Sequence, residues 1–84
     1  MDKELMEKYQ QAISLLQFRN PGCSFSGSFH PADGDKVLFT LYIVKTDEWK
    51  SGKKVFKPMD TKENALKYFI KASQNLVLKN MFNN

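Results

Sequence analysis

The chain has 84 residues, which is enough for one domain with a single hydrophobic core and close to the size below which such a core no longer suffices. Apolar residues make up 42% of the chain and include seven Phe, so the composition excludes a disordered protein. The formal net charge of +4 is uneven, because residues 1–48 sum to −2 and residues 49–84 to +6. A local positive excess favours an anionic partner, although lysines that only keep a surface solvated would give the same count.

Cysteine usage and hydropathy indicate the compartment. Cys23 is the single cysteine and cannot form an internal disulfide, and no apolar segment follows a basic N-terminus as in a signal peptide. The longest apolar run, residues 37–44, is too short to span a bilayer. We therefore expect a cytoplasmic protein without a membrane partner, either a monomer or a small homo-oligomer.

The first predicted element is an amphipathic helix over residues 2–18. Asp2 is a suitable N-cap, and Asn20-Pro21-Gly22 ends the helix, because proline cannot continue it and glycine accepts the left-handed conformation that follows. The apolar residues recur at three- and four-residue spacing: Leu5, Met6, Tyr9, Ala12, Ile13 and Leu16.

Two strands follow. Residues 23–30 alternate, with Cys23, Phe25, Gly27 and Phe29 on one side and Ser24, Ser26, Ser28 and His30 on the other, which predicts a half-buried strand. Residues 31–35 contain Asp-Gly and predict a hairpin turn. Residues 37–44 are apolar at odd and even positions except Thr40, which predicts a central strand covered on at least much of both faces.

The remaining residues predict a third strand and a second helix. Residues 46–54 are polar with a Ser51-Gly52 turn, and Val55-Phe56 forms a short third strand that Pro58 ends. Asp60 or Thr61 caps a helix over residues 61–79. Its inner side consists of Ala65, Leu66, Phe69, Ile70, Ser73, Leu76 and Val77.

These elements predict one domain over residues 1–84, with residues 80–84 as a frayed tail. The fold class is α+β in the order α-β-β-β-α, a three-stranded antiparallel sheet with two helices packed on one face.

Catalytic and metal-binding motifs are absent from the sequence. Cys23 and His30 are seven residues apart on one strand, which places them on opposite faces and excludes a nucleophile and base pair. One His and one Cys cannot build a zinc site, and the glycines never reach phosphate-loop spacing. We expect a non-enzymatic protein without a cofactor or a metal.

The lysine series in the second half carries the strongest functional signal. Its members are the candidate nucleic-acid-binding residues Lys50, Lys53, Lys54, Lys57, Lys62, Lys67 and Lys71. Long ammonium side chains near a helix N-terminus suit phosphate oxygens. Trp49 and Phe56 are interleaved with them and are expected to be core residues rather than stacking platforms. A hairpin whose edge is protected by lysines is the alternative interpretation.

The order of elements resembles the double-stranded RNA-binding domain over nearly the whole chain. That family grips phosphates with a Lys-Lys-x-Ala-Lys pattern at the start of its second helix, and the matching residues here are Lys62 and Ala65 in Lys62-Glu63-Asn64-Ala65-Leu66. Its first hairpin loop uses a Gly-Pro-x-His pattern, whereas this chain has the residues in another order in 30–35, with two acids. The resemblance implies RNA as the ligand, with DNA as a further option.

Other resemblances leave two alternatives open. Residues 36–79 resemble the DNA-binding module of three strands and a helix found in phage integrases. The small size and lysine content are similar to accessory proteins that phages make to block host defence, including antagonists of ribonuclease toxins. The latter resemblance implies a protein-binding inhibitor that acts with or without nucleic acid, and membership of a larger assembly is a third option.

Overall fold

The computed structural model describes residues 2–78, 81 and 82, and it has the predicted α+β fold. The elements in chain order are α1 (Lys3–Arg19), β1 (Cys23–Ala32), β2 (Lys36–Lys45), β3 (Lys50–Val55) and α2 (Lys62–Ser73). Both strand pairs are antiparallel and the sheet order is β1-β2-β3, so β2 is central as predicted. None of the helices in the described part of the chain is long and apolar enough to cross a membrane.

Both helices begin at the predicted caps. The Asp2 carboxylate accepts a hydrogen bond from the backbone N–H of Glu4 at 3.1 Å, and the Thr61 hydroxyl accepts one from that of Asn64 at 3.0 Å. These bonds satisfy N–H groups that the first turn of a helix cannot pair internally.

The core lies between the sheet and both helices, under the odd-numbered residues of β2. Phe39, Leu41 and Ile43 are almost completely buried. The Phe39 ring lies 4.5 Å from that of Phe69 in α2 and 6.0 Å from that of Tyr9 in α1, measured between centroids. The Phe39 side chain of β2 therefore contacts both α1 and α2.

The first hairpin is tighter than predicted. β1 continues through Pro31 and Ala32, and Ala32 pairs with Lys36, which leaves a three-residue loop of Asp33, Gly34 and Asp35. Gly34 and Asp35 have φ angles of 66° and 61°, which glycine and aspartate tolerate better than most residues. Pro31 is accommodated because β1 is an edge strand.

The prediction for the third strand is wrong in its bounds. β3 covers Lys50–Val55, the turn is formed by residues 46–49, and Phe56 follows the strand as a buried core residue. Gly52 lies inside the strand instead of in a turn. Its missing side chain has a packing role, because a Cβ there would lie 2.2 Å from the backbone oxygen of Met81.

The second helix is shorter than predicted. It ends at Ser73 instead of near residue 79, and the following chain turns so that Leu78 and Met81 become buried. Phe82 forms an isolated antiparallel bridge with Gly52. The prediction of a frayed tail is therefore wrong for Met81 and Phe82, whereas Asn80, Asn83 and Asn84 lie outside the described residues.

The even-numbered side of β2 is less covered than predicted, although Thr40 on that side is buried and Leu38 is half-buried. Both helices lie on the odd-numbered side, and on the other side Tyr42 and Val44 are 37% and 43% exposed. Residues 2–78, 81 and 82 form no further helix or strand that covers the other face of the sheet. We call this second side, with Tyr42 at its centre, the open face.

Candidate nucleic-acid interface

The register of β3 divides the predicted lysines between the two sides of the sheet. Lys53 pairs with Tyr42 and so lies on the open face, since paired residues of neighbouring strands share a face. Lys54 pairs with Leu41, and Lys50 pairs with Lys45. Lys50 and Lys54 therefore lie on the helix side, at the edge of the sheet. All three are exposed, so alternation along one edge strand offers ammonium groups to both sides.

The four lysines of residues 50–57 differ in their ion pairing. The Lys50 Nζ lies 3.6 Å from a carboxylate oxygen of Glu48, and the Lys45 Nζ lies 3.1 Å from the other oxygen of the same group. The hydrogen bond from Lys45 is the main reason that the pKa of Glu48 is lowered. Among the described residues, Lys53, Lys54 and Lys57 have no carboxylate oxygen within 4.0 Å.

The lysines of α2 lie elsewhere. The Lys62 Nζ lies 5.9 Å from the ring centroid of Phe29 in β1, the strand at the opposite edge of the sheet from β3. Lys67 pairs with Glu63 at 3.2 Å, and together with Lys71 it lines a groove between α2 and α1. The structure therefore brings the lysines of β3 together and separates them from those of α2.

The open face contains a short hydrogen-bonded chain of side chains. The His30 Nε2 lies 3.1 Å from the Tyr42 hydroxyl and 3.2 Å from the Ser28 hydroxyl. The rings of His30 and Tyr42 meet edge to face with centroids 6.4 Å apart. Both hydroxyls share one ring nitrogen of His30, so this arrangement fixes the Tyr42 side chain and is not the nucleophile, base and acid series of a catalytic triad.

The sheet is free of acidic residues. Every residue of the three strands is described, and none of them is Asp or Glu. All nine acids lie in helices, caps or turns: Asp2, Glu4, Glu7, Asp33, Asp35, Asp47, Glu48, Asp60 and Glu63. The strands contribute Lys36, Lys45, Lys50, Lys53 and Lys54. The acids are thus kept off the sheet, whereas basic residues lie both on the strands and outside them.

Trp49, like Tyr42, is an exposed aromatic residue, so the prediction that Trp49 is a core residue is wrong. It is 89% exposed in the turn before β3, whereas Phe56, also expected in the core, is 5% exposed. The φ angle of Trp49 is 52°, a left-handed conformation that is unusual for a bulky residue. The turn therefore directs an indole ring into solvent beside Lys50.

The open face was missed because Leu38, Tyr42 and Val44 are as apolar as the buried residues between them. A usable signal lies in β1, where Ser24, Ser26 and Ser28 alternate with core residues. A neighbouring strand with a row of serines on one side indicates that this side of β2 faces solvent.

No family model, no curated protein and no solved structure matches this chain.

Proposed function

We propose that the protein is a non-enzymatic RNA-binding protein that contacts its ligand through β3 and the adjoining open face. The observation that carries this proposal is the acid-free sheet, in which lysines alternate along an edge strand with no competing carboxylate in the strands. Lysines near a backbone of phosphates release its condensed counterions, which supplies sequence-independent affinity.

The distribution of acids bears on how the RNA is held. In the double-stranded RNA-binding domain, the first hairpin loop and the start of the second helix contact the duplex. Here that loop carries Asp33 and Asp35, and α2 begins beside Asp60 and Glu63. The pKa of Asp60 is lowered, mainly by the hydrogen bond from the Asn64 side-chain amide, so this carboxylate is ionised at neutral pH. These acids would repel a duplex backbone, and we place RNA on the sheet instead.

The test is a titration of labelled RNA followed by fluorescence anisotropy over a range of salt concentrations. The parent protein should bind with a log-log salt slope of roughly −0.7 to −0.9 per phosphate neutralised. The double variant K53Q/K54Q should bind more weakly, and its slope should be shallower by roughly 1.5.

The matched control is K3Q/K8Q, which removes the same charge from α1, where both side chains are exposed. It should leave affinity and slope close to those of the parent protein. Binding that is independent of salt, or equal losses in the two double variants, would contradict the proposal. DNA of the same sequence, titrated in parallel, determines whether the ligand is RNA alone.

A protein-binding inhibitor, of the kind phages direct against host defence, is a second candidate. It is favoured by Phe18, which is 83% exposed at the end of α1, and by the exposed Trp49 ring. A partner protein that stays bound after nuclease treatment at high salt, and that is lost in Phe18→Ser, would favour this candidate over RNA.

A further inference from the structure

We infer that the RNA is single-stranded and crosses the open face, with one base stacked on Tyr42 and the adjacent phosphate held by Lys53. This inference rests on the proposed function and specifies the form of its ligand. Tyr42 is the aromatic residue at the centre of the open face.

The surroundings of Tyr42 leave its side chain partly exposed. Its partners in register are Ser26 on β1 and Lys53 on β3. Ser26 is too short to cover the ring, and the side chain of Tyr42 is 37% exposed although it lies in the central strand. The hydrogen bond between its hydroxyl and the His30 ring fixes the Tyr42 ring, so little side-chain entropy remains to be lost when a base stacks on it.

The rest of the open face suits a chain of nucleotides. The serines Ser24, Ser26 and Ser28 follow one another along β1, and their hydroxyls can donate to or accept from sugar and base atoms. Val44 and Val55 are 43% and 48% exposed and offer apolar contact to base faces. The charge of the ligand is matched by Lys53, with no acid on the strands.

Single-stranded RNA fits this arrangement better than a duplex does. Stacking on a protein ring requires a base that is not already stacked between two neighbours, and such bases occur in single strands, loops and bulges. A duplex would present only its backbone to the open face, where Lys53 is the central cation and Tyr42 would have no base to contact.

The experiment compares Tyr42→Ala with Tyr68→Ala, because the two tyrosines have nearly the same exposure, 37% and 39%, and Tyr68 lies on α2, away from the open face. A labelled single-stranded RNA and a duplex of the same sequence are titrated with each variant and with the parent protein. Tyr42→Phe keeps the ring and serves as the conservative variant. Thermal melts establish that each variant is folded.

We expect the parent protein to prefer the single strand. Tyr42→Ala should weaken its binding by roughly 5- to 150-fold, the range found when a stacked aromatic residue is replaced by alanine. Tyr42→Phe and Tyr68→Ala should stay within about twofold of the parent protein, since stacking accounts for the larger loss. The salt slope should be unchanged in Tyr42→Ala and shallower by about 0.7 in Lys53→Gln, because only the second variant removes a phosphate contact.

The outcomes separate this inference from the function on which it rests. If the parent protein binds neither RNA, the proposed function is overturned together with the inference. If it binds RNA but prefers the duplex, or if Tyr42→Ala and Tyr68→Ala lose the same affinity, the inference alone is overturned. A salt slope that changes equally in Tyr42→Ala and Lys53→Gln would likewise overturn the assigned roles.

Discussion

At the scale of single residues, Phe39 has the most connected position in the molecule. Its ring is in aromatic contact with those of Tyr9, Phe29, Phe56 and Phe69, and it is 2% exposed. Gly27 makes room for this ring, because a Cβ at that position would lie 2.2 Å from the Phe39 Cζ. Gly27 lies between Ser26 and Ser28 and faces the core side of β1. Glycine is therefore required there for a steric reason.

We expect Phe39→Ala to lower the free energy of unfolding by about 3–5 kcal/mol, because it removes a buried ring and leaves a cavity between the sheet and both helices. Val44→Ala, on the same strand but on the open face, should cost much less, since Val44 is already 43% exposed. Urea denaturation followed by circular dichroism measures both. Similar losses in the two variants would contradict the assignment of the inner and outer sides of β2.

Several residue-level predictions succeeded because they depend on local chemistry. The Asp2 and Thr61 caps follow from side-chain oxygens that can reach N–H groups two or three residues ahead, and no distant contact is needed. The role of Gly52 could not be predicted in this way. Its residue type and polar neighbours suggested a turn, whereas the reason for glycine is the backbone of Met81, which is distant in sequence.

At the scale of elements, the turn between β2 and β3 contains the carboxylate with which Lys45 and Lys50 form ion pairs. Glu48 pairs with both Lys45 and Lys50, and this pairing, chiefly the hydrogen bond from Lys45, lowers the pKa of its carboxyl group. Since the pKa is lower in the folded protein, the stabilisation from the pair is present above the ordinary carboxyl pKa. It is lost as the pH falls through the lowered value.

We expect Glu48→Gln to tighten RNA binding, by about fivefold at low salt, because it frees Lys50 for a phosphate and removes a repelling charge. The salt slope should steepen by about 0.7. Asp47→Asn is the matched control: it removes one negative charge from the same turn, but Asp47 has no ion pair with Lys50 among the described residues. Equal gains in the two variants, measured by anisotropy, would show that net charge alone is responsible.

The order and type of the elements could be predicted from the sequence, because α1, α2 and β1 have distinct periods of apolar residues and β2 is a continuous apolar run. The bounds of β3 and α2 could not be predicted, since both depend on the contact of Gly52 with Met81 and Phe82. The periodicity of Leu76 and Val77 continued that of the helix, but burial of Leu78 and Met81 stabilises a turn after Ser73 instead.

At the scale of the whole molecule, the main feature is the segregation of charge. The nine acids surround a sheet whose strands contain lysines and no acid. The excess of lysines in the second half is visible in the sequence, from which the lysines of β3 and α2 were predicted to form one nucleic-acid-binding surface. The fold separates them, because Lys62 lies over Phe29 of the opposite edge strand, and Lys67 and Lys71 line the groove between α2 and α1. Net charge can be counted from a sequence, whereas its arrangement on a surface depends on strand register.

The segregation gives a final prediction, which concerns the open face as a whole. Ser26→Glu places an acid beside Tyr42 on the acid-free side of the sheet, and Ser14→Glu places one on the exposed side of α1. Both variants lower the net charge from +4 to +3, so any effect of total charge is the same. If RNA lies on the open face, Ser26→Glu should weaken binding by about fivefold or more at low salt, because unlike Ser14→Glu it brings a carboxylate within about 4 Å of a phosphate. The difference between the variants should shrink as salt screens the repulsion. Anisotropy titrations at two salt concentrations measure this, and equal affinities of the two variants at low salt would place the RNA on another surface.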